Sequence, residues 1–212
     1  MVRPVTRRRY DQFCGVARAL DVVGERWTLL LVRNLLLGPR RYSDLLAESP
    51  GLTTNLLAKR LAELERAGLV ERRVLPPPNP ATVYALTPAG QELEPVVLAL
   101  GAFGSRSLDA PKPRDTVNLA WGFFSLKRRY RGGLTGAVAF EVEGRRYTLR
   151  FEPSRLLVSD ADRNPVDATI TGTSAAVRDA VLRGERRARA ALRVEGDRPL
   201  AERALDALAL PG

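Results

Sequence analysis

Apolar residues recur at helical spacing through the first part of the chain. Between Phe13 and Leu36 they fall every three or four positions, and Gly24 is the one weak point in this run. The pattern predicts two helices, or one helix broken at Gly24. Gly38-Pro39 stops it, and a short helix is expected over residues 42–48.

A tight turn and a longer helix come next. Pro50-Gly51 marks the turn, Thr53 is a suitable N-cap, and residues 54–67 carry leucines at helical spacing before Gly68 ends the helix. A short helix, a Pro/Gly turn and a second helix within about 30 residues are typical of a helix-turn-helix.

Two strand-like runs follow this motif directly. Residues 69–75 and 81–86 are separated by Pro-Pro-Pro-Asn-Pro, which fits a hairpin tip or a loop but not a strand. A helix-turn-helix followed by a basic hairpin predicts a winged helix. A further helix is expected over residues 91–105, with more apolar side chains than a fully solvated helix would carry.

The remaining pattern predicts a second domain of mixed α+β class. Pro111 and Pro113 interrupt residues 109–114, so we expect domains at 1–108 and 115–212 joined by this linker. An aromatic helix is expected over 115–130, then strands over 134–142, 147–151, 156–159 and 168–170. Helices to residues 182 and 191, a short strand within 192–197 and a helix over 199–208 complete the prediction.

Composition excludes several classes of chemistry. The 212 residues contain no His and one Cys, so neither His-activated nucleophiles, nor His or Cys-rich metal sites, nor internal disulfides can form. No phosphate-binding glycine motif is present. We therefore expect a protein that is not an enzyme and has neither metal nor cofactor. Apolar runs are too short for a membrane span or signal peptide, so we expect a cytoplasmic location.

Positive charge is concentrated in two blocks. The chain has 34 Lys and Arg against 24 Asp and Glu, a formal net charge of +10. Residues 1–73 contribute 14 − 8 = +6, residues 74–112 contribute 2 − 3 = −1, and residues 113–212 contribute 18 − 13 = +5. Basic blocks are typical of polyanion binders, but biased codon usage also produces arginine-rich surfaces, so charge alone leaves nucleic-acid binding open.

The motif series of the first domain resembles the HxlR family of bacterial winged-helix transcription regulators. Five ordered motifs carry the resemblance, at residues 14–33, 38–45, 51–61, 64–70 and 84–90. It covers about residues 10 to 107. The resemblance implies a homodimer, in which the first helix and the helix over 91–105 form most of the subunit interface.

This resemblance also assigns candidate contacts to double-stranded DNA. The second helix would enter the major groove with its N-terminal residues at the base edges, which here are Thr53, Thr54, Asn55 and Lys59. Phosphate contacts would come from Arg40, Arg41 and Arg60, and from Arg72 and Arg73 beside the wing. Three alternatives stay open: Thr53 serves only as a cap, Asn55 and Lys59 are only solvated, and one of the two wing arginines is simply solvated.

Cys14 is a candidate redox site. In some members of the family, a matching cysteine senses quinones, aldehydes or oxidants. Arg18 lies one helical turn away and would favour the reactive thiolate. The alternative is that Cys14 is a small apolar residue buried near the dimer interface.

The second domain resembles the fold of sterol carrier protein type 2. The predicted order of helix, four-stranded meander, two helices, strand and helix carries this resemblance, together with residues 167–171 and 192–197. It implies an apolar tunnel for a small-molecule effector, with Trp121, Phe124, Phe140, Tyr147 and Phe151 as candidate lining. Plain core packing is the alternative for these aromatics. Three functions follow: a ligand-responsive regulator, an apolar-ligand carrier, or a thiol-based regulator.

Overall fold

The described residues of the computed structural model, 9–75, 80–109 and 111–208, form two compact units that divide between Val97 and Leu98. This division lies within helix α6 (Glu94–Gly104). The predicted domain limits and the linker over 109–114 stay predictions. In the part of the chain that the structure describes, no helix has both the length and the apolar character to cross a bilayer.

The first unit begins with four helices, three of which contribute fully buried leucines to its core. These are α1 (Gly15–Val23), α2 (Thr28–Leu35), α3 (Tyr42–Ala47) and α4 (Thr54–Arg66). The predicted break near Gly24 is confirmed, and it extends to Trp27, whose backbone is left-handed with φ 78°. The fully buried leucines come from three helices and include Leu31, Leu35, Leu45, Leu57, Leu61 and Leu64. Because α4 points its leucines inward, its opposite face lies at the surface.

A two-stranded wing follows α4, as the sequence predicts. Strands β1 (Val70–Val74) and β2 (Thr82–Leu86) pair antiparallel, with Val70 opposite Leu86. The backbone of Arg40 adds a bridge to β2, because its N–H donates to the Tyr84 carbonyl at 2.9 Å and its carbonyl accepts from Tyr84 at 2.7 Å. Most of the proline-rich tip, residues 76–79, lies outside the described residues.

The helix predicted over residues 91–105 is confirmed as α6, which begins three residues later, and a separate short helix, α5 (Pro88–Gln91), precedes it. Thr87 caps α5, since its hydroxyl accepts from the Gly90 N–H at 3.1 Å and donates to the Gly68 carbonyl at 2.6 Å. The backbone packs so closely here that a Cβ on Gly90 would lie 2.1 Å from the Leu69 carbonyl oxygen. By contrast, helix α6 has no buried residue.

The second unit contains a five-stranded sheet in the order β5-β4-β3-β6-β7. Its strands are β3 (Gly136–Val142), β4 (Arg145–Phe151), β5 (Leu156–Ser159), β6 (Ala168–Gly172) and β7 (Arg193–Gly196). A two-residue turn joins β3 to β4, where Glu143 and Gly144 both have positive φ, at 50° and 77°. The four-stranded meander of the sequence prediction is wrong beyond β5, because β6 pairs parallel with β3.

Side chains in the connection between β5 and β6 explain this crossing. Arg150 of β4 binds the Asp162 carboxylate at 2.6 Å, which holds the connection against the sheet. Asp167 then accepts the N–H of Ala137 in β3 at 2.7 Å, so the chain enters β6 beside β3. These contacts are distant in sequence, and alternating hydrophobicity carries no information about them.

Helices complete the second unit. The aromatic helix α7 (Leu119–Leu126) starts later than predicted because the Asn118 side chain caps it, accepting from the Ala120 N–H at 2.9 Å. Phe123 of α7 packs against Phe140 and Tyr147 of the sheet, with ring centroids 4.9 and 5.0 Å apart. After β6 come α8 (Ser174–Val177), a π-helical turn over Arg178–Leu182, a 3₁₀ helix over Arg186–Ala191 and, after β7, α9 (Arg198–Leu208).

Candidate nucleic-acid interface

Two side chains fix the start of helix α4. The Thr53 hydroxyl accepts from the Leu56 N–H at 3.4 Å, as expected of an N-cap. Tyr42 of α3 donates its hydroxyl to the Thr54 carbonyl at 2.6 Å. Sequence reasoning did not single out Tyr42, because only the packing of α3 on α4 brings the phenol to this carbonyl. The first turn of α4 is therefore stabilised by its own N-cap residue and by a side chain of α3.

The predicted base-reading residues share one exposed surface. Thr53, Thr54, Asn55 and Lys59 are all exposed, while Leu57 and Leu61 of the same helix are buried. The whole set that the sequence assigned to the major groove therefore lies at the surface of this unit. An amide, an ammonium and two threonine methyl groups are chemically suited to base edges.

Arg60 lies inside the unit, which corrects the expectation that it faces a phosphate. Its side chain is 7% exposed and contacts Glu25 at 2.6 Å and Glu63 at 2.5 Å. Its Nε also donates to the Arg26 carbonyl at 3.2 Å. The guanidinium group therefore connects α4 to the corner between α1 and α2. This role is structural, because a desolvated cation must be paired and hydrogen-bonded.

Arg40 is also directed inward, which corrects the second of the phosphate assignments. Its Nε lies 3.3 Å from the Glu48 carboxylate, and its Nη1 donates to the carbonyls of Gly38 and Pro39. The backbone bridge to the wing explains this position, because it carries residue 40 into the fold beside β2. Sequence spacing could not distinguish Arg40 from its exposed neighbour Arg41.

The wing arginines are both exposed and both ion-paired. Arg72 reaches Glu65 of α4 with two bonds of 2.7 and 3.2 Å, and its guanidinium lies over the Tyr84 ring, 5.4 Å from the centroid. The contact with Glu65, followed by that with Tyr84, raises the pKa of Arg72. Arg73 pairs with Glu71 of its own strand. Arg72 thus joins the wing to α4, and whether either arginine contacts DNA stays a prediction.

Cys14 is exposed at the N-terminus of α1. The backbone N–H groups of Ala17 and then Val16 lower the pKa of its thiol. The expected cause, Arg18, is not involved, because its guanidinium lies 3.7 Å from Asp21. In the single chain the thiol is not a buried apolar group. It has the exposure and the lowered pKa that a reactive thiol needs.

The five aromatic candidates of the second unit occupy its core or the edge of its core. Phe124, Phe140, Tyr147 and Phe151 are buried, and Trp121 is half-buried. Burial raises the pKa of the Tyr147 phenol. Their ring contacts suit core packing, so a role in lining a ligand site stays a prediction.

Comparisons with known proteins match the N-terminal half of the chain. A sequence model described as HxlR-like helix-turn-helix matches residues 22–112. An uncharacterized HTH-type transcriptional regulator, sll1512 of Synechocystis, is 36% identical over 96 residues, which cover 45% of this chain and 71% of that protein. The HTH-type transcriptional regulator YodB of Bacillus subtilis is 34% identical over 99 residues, which cover 47% of this chain and 86% of that protein.

Solved structures give matches of the same extent. A structure described as the redox regulator HypR in its oxidized form is 34% identical in sequence. The match covers 46% of this chain and 100% of that chain, with a TM-score of 0.42. The structure of the reduced form of YodB from Bacillus subtilis is 30% identical in sequence. The match covers 48% of this chain and 100% of that chain, with a TM-score of 0.40.

Replacing Arg60 with Ala is expected to destabilise the first unit by about 2 kcal/mol, because it leaves the Arg26 carbonyl and two carboxylates without their cation. Urea unfolding measures the loss. Arg66→Ala is the matched control, since Arg66 is an exposed arginine of the same helix and should change stability by less than about 0.5 kcal/mol. Weaker DNA binding of Arg60→Ala at unchanged stability would instead place this guanidinium on a phosphate.

Proposed function

The chain belongs to the HxlR-like family of helix-turn-helix transcriptional regulators, and we propose that it acts as a homodimer on a palindromic DNA operator. The observation that carries this proposal is the exposed first half of α4, with Thr53, Thr54, Asn55 and Lys59 on one surface. The Tyr42 hydroxyl binds the Thr54 carbonyl, which joins the first turn of α4 to α3. A helix presented in this way fits the major groove.

Each side chain of this surface has a base that it suits. The Asn55 amide can donate to and accept from one adenine, and the Lys59 ammonium can donate to guanine. The methyl groups of Thr53 and Thr54 suit the thymine methyl group. Arg41, Arg72 and Arg73 supply sequence-independent phosphate contacts, which make the affinity strongly dependent on salt.

Exposed apolar surface supports the homodimer. Phe13, Val16 and Leu20 are exposed at α1, and Val96, Leu100 and Phe103 are exposed on α6. A water-exposed helix as apolar as α6 is unfavourable, and patches of this kind commonly mark interfaces between proteins. A second copy of the chain would cover both helices and place its own α4 in the adjoining half-site.

We propose that the second unit, whose sequence resembles that of sterol carrier protein type 2, binds an apolar effector. The aromatic side chains between α7 and the sheet support an apolar ligand, and Trp121 stands at the edge of this layer. The effector would act by binding one arrangement of the dimer more tightly than another. This gives the chain a binding role without a catalytic step. A carrier of apolar ligands is the alternative use of the same unit.

Binding to DNA from the chain's own upstream region tests the regulator. Asn55→Ala should weaken binding to that DNA about ten-fold or more, through the loss of the bidentate contact with a base, and should leave the salt dependence unchanged. Arg66→Ala, at the other end of α4, should leave the preference intact. Gel shifts measure the affinity of both variants for this DNA. In footprints, a dimer should protect two half-sites about 10 base pairs apart. Equal affinity for upstream and random DNA would contradict the proposal.

Native mass spectrometry tests the effector. Protein purified without organic solvent should carry an apolar molecule on the dimer, and mild organic extraction should remove it. Trp121→Ala should reduce the bound fraction, whereas Leu108→Ala, an exposed apolar control outside the aromatic layer, should not. An identical mass before and after extraction, with no uptake of added apolar ligands, would count against an effector site.

A thiol-based switch is a second candidate, favoured by the exposed Cys14 and its lowered pKa. Iodoacetamide should label the folded chain with a midpoint at lower pH than the urea-unfolded chain, because the thiolate is lost only as pH falls through the lowered pKa. Arg18→Ala should leave this midpoint in place, since the helix N–H groups set it. Cys14→Ser should abolish any effect of quinones on DNA binding. A serine variant that still responds would exclude the thiol as the sensor.

A further inference from the structure

The second unit carries a cationic turn, Lys-Arg-Arg-Tyr-Arg over residues 127–131, directly after helix α7. Between Asp115 and Glu141 the sequence contains these four cations and no Asp or Glu. The net charge of the second unit, which the winged helix leaves unexplained, is therefore unevenly distributed. Its densest positive segment is this turn.

The backbone of the cationic turn is fixed by two of its own residues. Tyr130 is buried, and its hydroxyl accepts from the Leu134 N–H at 2.9 Å and lies 2.8 Å from the Leu134 carbonyl oxygen. Its ring meets Phe151 edge-on, with centroids 5.5 Å apart. Arg129 donates to the Leu182 carbonyl at 3.0 Å. The backbone that carries the charged side chains is thus joined to other parts of the unit at two of its residues.

Within the described residues, the arginines of the cationic turn bond to carbonyl oxygens and not to carboxylates. Arg128 donates to the Ser125 carbonyl at 3.4 Å, and Arg131 donates to the Arg128 carbonyl at 3.3 Å. Burial, and then the like charge of Arg128, lower the pKa of Arg129. Each guanidinium has five N–H donors, so one bond to a carbonyl leaves most of them for an anion.

Carboxylates on the neighbouring segments already have cations of their own. Glu152, whose backbone carbonyl lies 3.0 Å from the Tyr130 hydroxyl, pairs with Arg155 at 2.5 Å. Asp179, in the turn that contains Leu182, pairs with Arg178 at 2.9 Å and with Arg183 at 3.3 Å. These pairs add no net negative charge beside the turn. A helix C-terminus attracts cations, but that effect is confined to its last turn and is worth little at the surface.

We propose that the cationic turn binds the phosphate backbone of double-stranded DNA, as a second contact made by the same chain. The inference rests on the proposed DNA-binding function. The arginines of this turn match phosphates in charge and in the geometry of their forked donors. Such contacts release counterions and carry no sequence information. Because both units belong to one chain, the second contact is intramolecular and adds avidity without a new specific site.

The test compares two double variants of the full chain that lose the same charge. Arg128→Gln with Arg131→Gln removes two arginines of the cationic turn, and Arg145→Gln with Arg203→Gln removes two exposed arginines elsewhere in the unit. Fluorescence anisotropy gives the affinity for upstream DNA and for random DNA of equal length over a series of KCl concentrations. The first variant should flatten the slope of log K against log salt by about 1.8 for each bound protomer, or about 3.6 for the dimer, since each lost phosphate contact removes about 0.9.

Several outcomes separate this inference from the proposed function. The control variant should keep a slope near that of the unmodified chain, and Arg128→Lys with Arg131→Lys should restore most of the slope. Equal slopes for the two glutamine variants would overturn the inference while leaving operator binding intact. A slope difference without preference for upstream DNA would overturn only the operator. Absence of any DNA binding would overturn both the inference and the proposed function. If the variant Arg128→Gln with Arg131→Gln lost binding to phosphatidylglycerol vesicles while its DNA slope stayed unchanged, the turn would be assigned to membranes.

Discussion

A single buried guanidinium group orients the DNA-binding unit. Arg60 lies on the inner side of α4 and bonds at once to Glu25, to Glu63 and to the Arg26 carbonyl. Because a desolvated cation is stable only when its donors are satisfied, these three bonds fix the rotation of α4 relative to the corner between α1 and α2. The exposed surface of α4 follows from that rotation.

The rest of the first unit continues this arrangement with local polar contacts. Arg72 ties the wing to Glu65 of α4, and the backbone of Arg40 adds a bridge to β2. Thr87 closes the other end of the wing by binding the Gly68 carbonyl. Each contact uses a charged or polar group to position one element against another. Several arginines of this unit are therefore engaged in contacts within the fold.

The second unit is organised differently, around aromatic packing against a sheet. Phe123 and Tyr130 hold α7 and the cationic turn to strands β3 and β4, and the Asp167 carboxylate fixes where β6 enters. The cationic turn is therefore attached to the sheet by the packing of Tyr130 on Phe151. The apolar layer suits the proposed apolar effector. The cationic turn suits the proposed sequence-independent binding of phosphates.

The sequence by itself determined most of the helices and strands, since their apolar period, caps and turn residues are local properties. Thr53 is an example, because it caps α4 as the sequence predicts. The exposed positions of α4 also followed from helical period, because a helix with one buried face must expose the other.

Only the tertiary structure decided which charged groups are available to a partner. Arg40 and Arg41 are neighbours in sequence, yet one is buried in ion pairs and the other is exposed. Likewise, the partners that remove Arg60 from the surface include Glu25, which is 35 residues away. The parallel pairing of β6 with β3 has the same origin. Contacts between residues distant in sequence set both features, and the period of hydrophobicity along a chain does not encode those contacts.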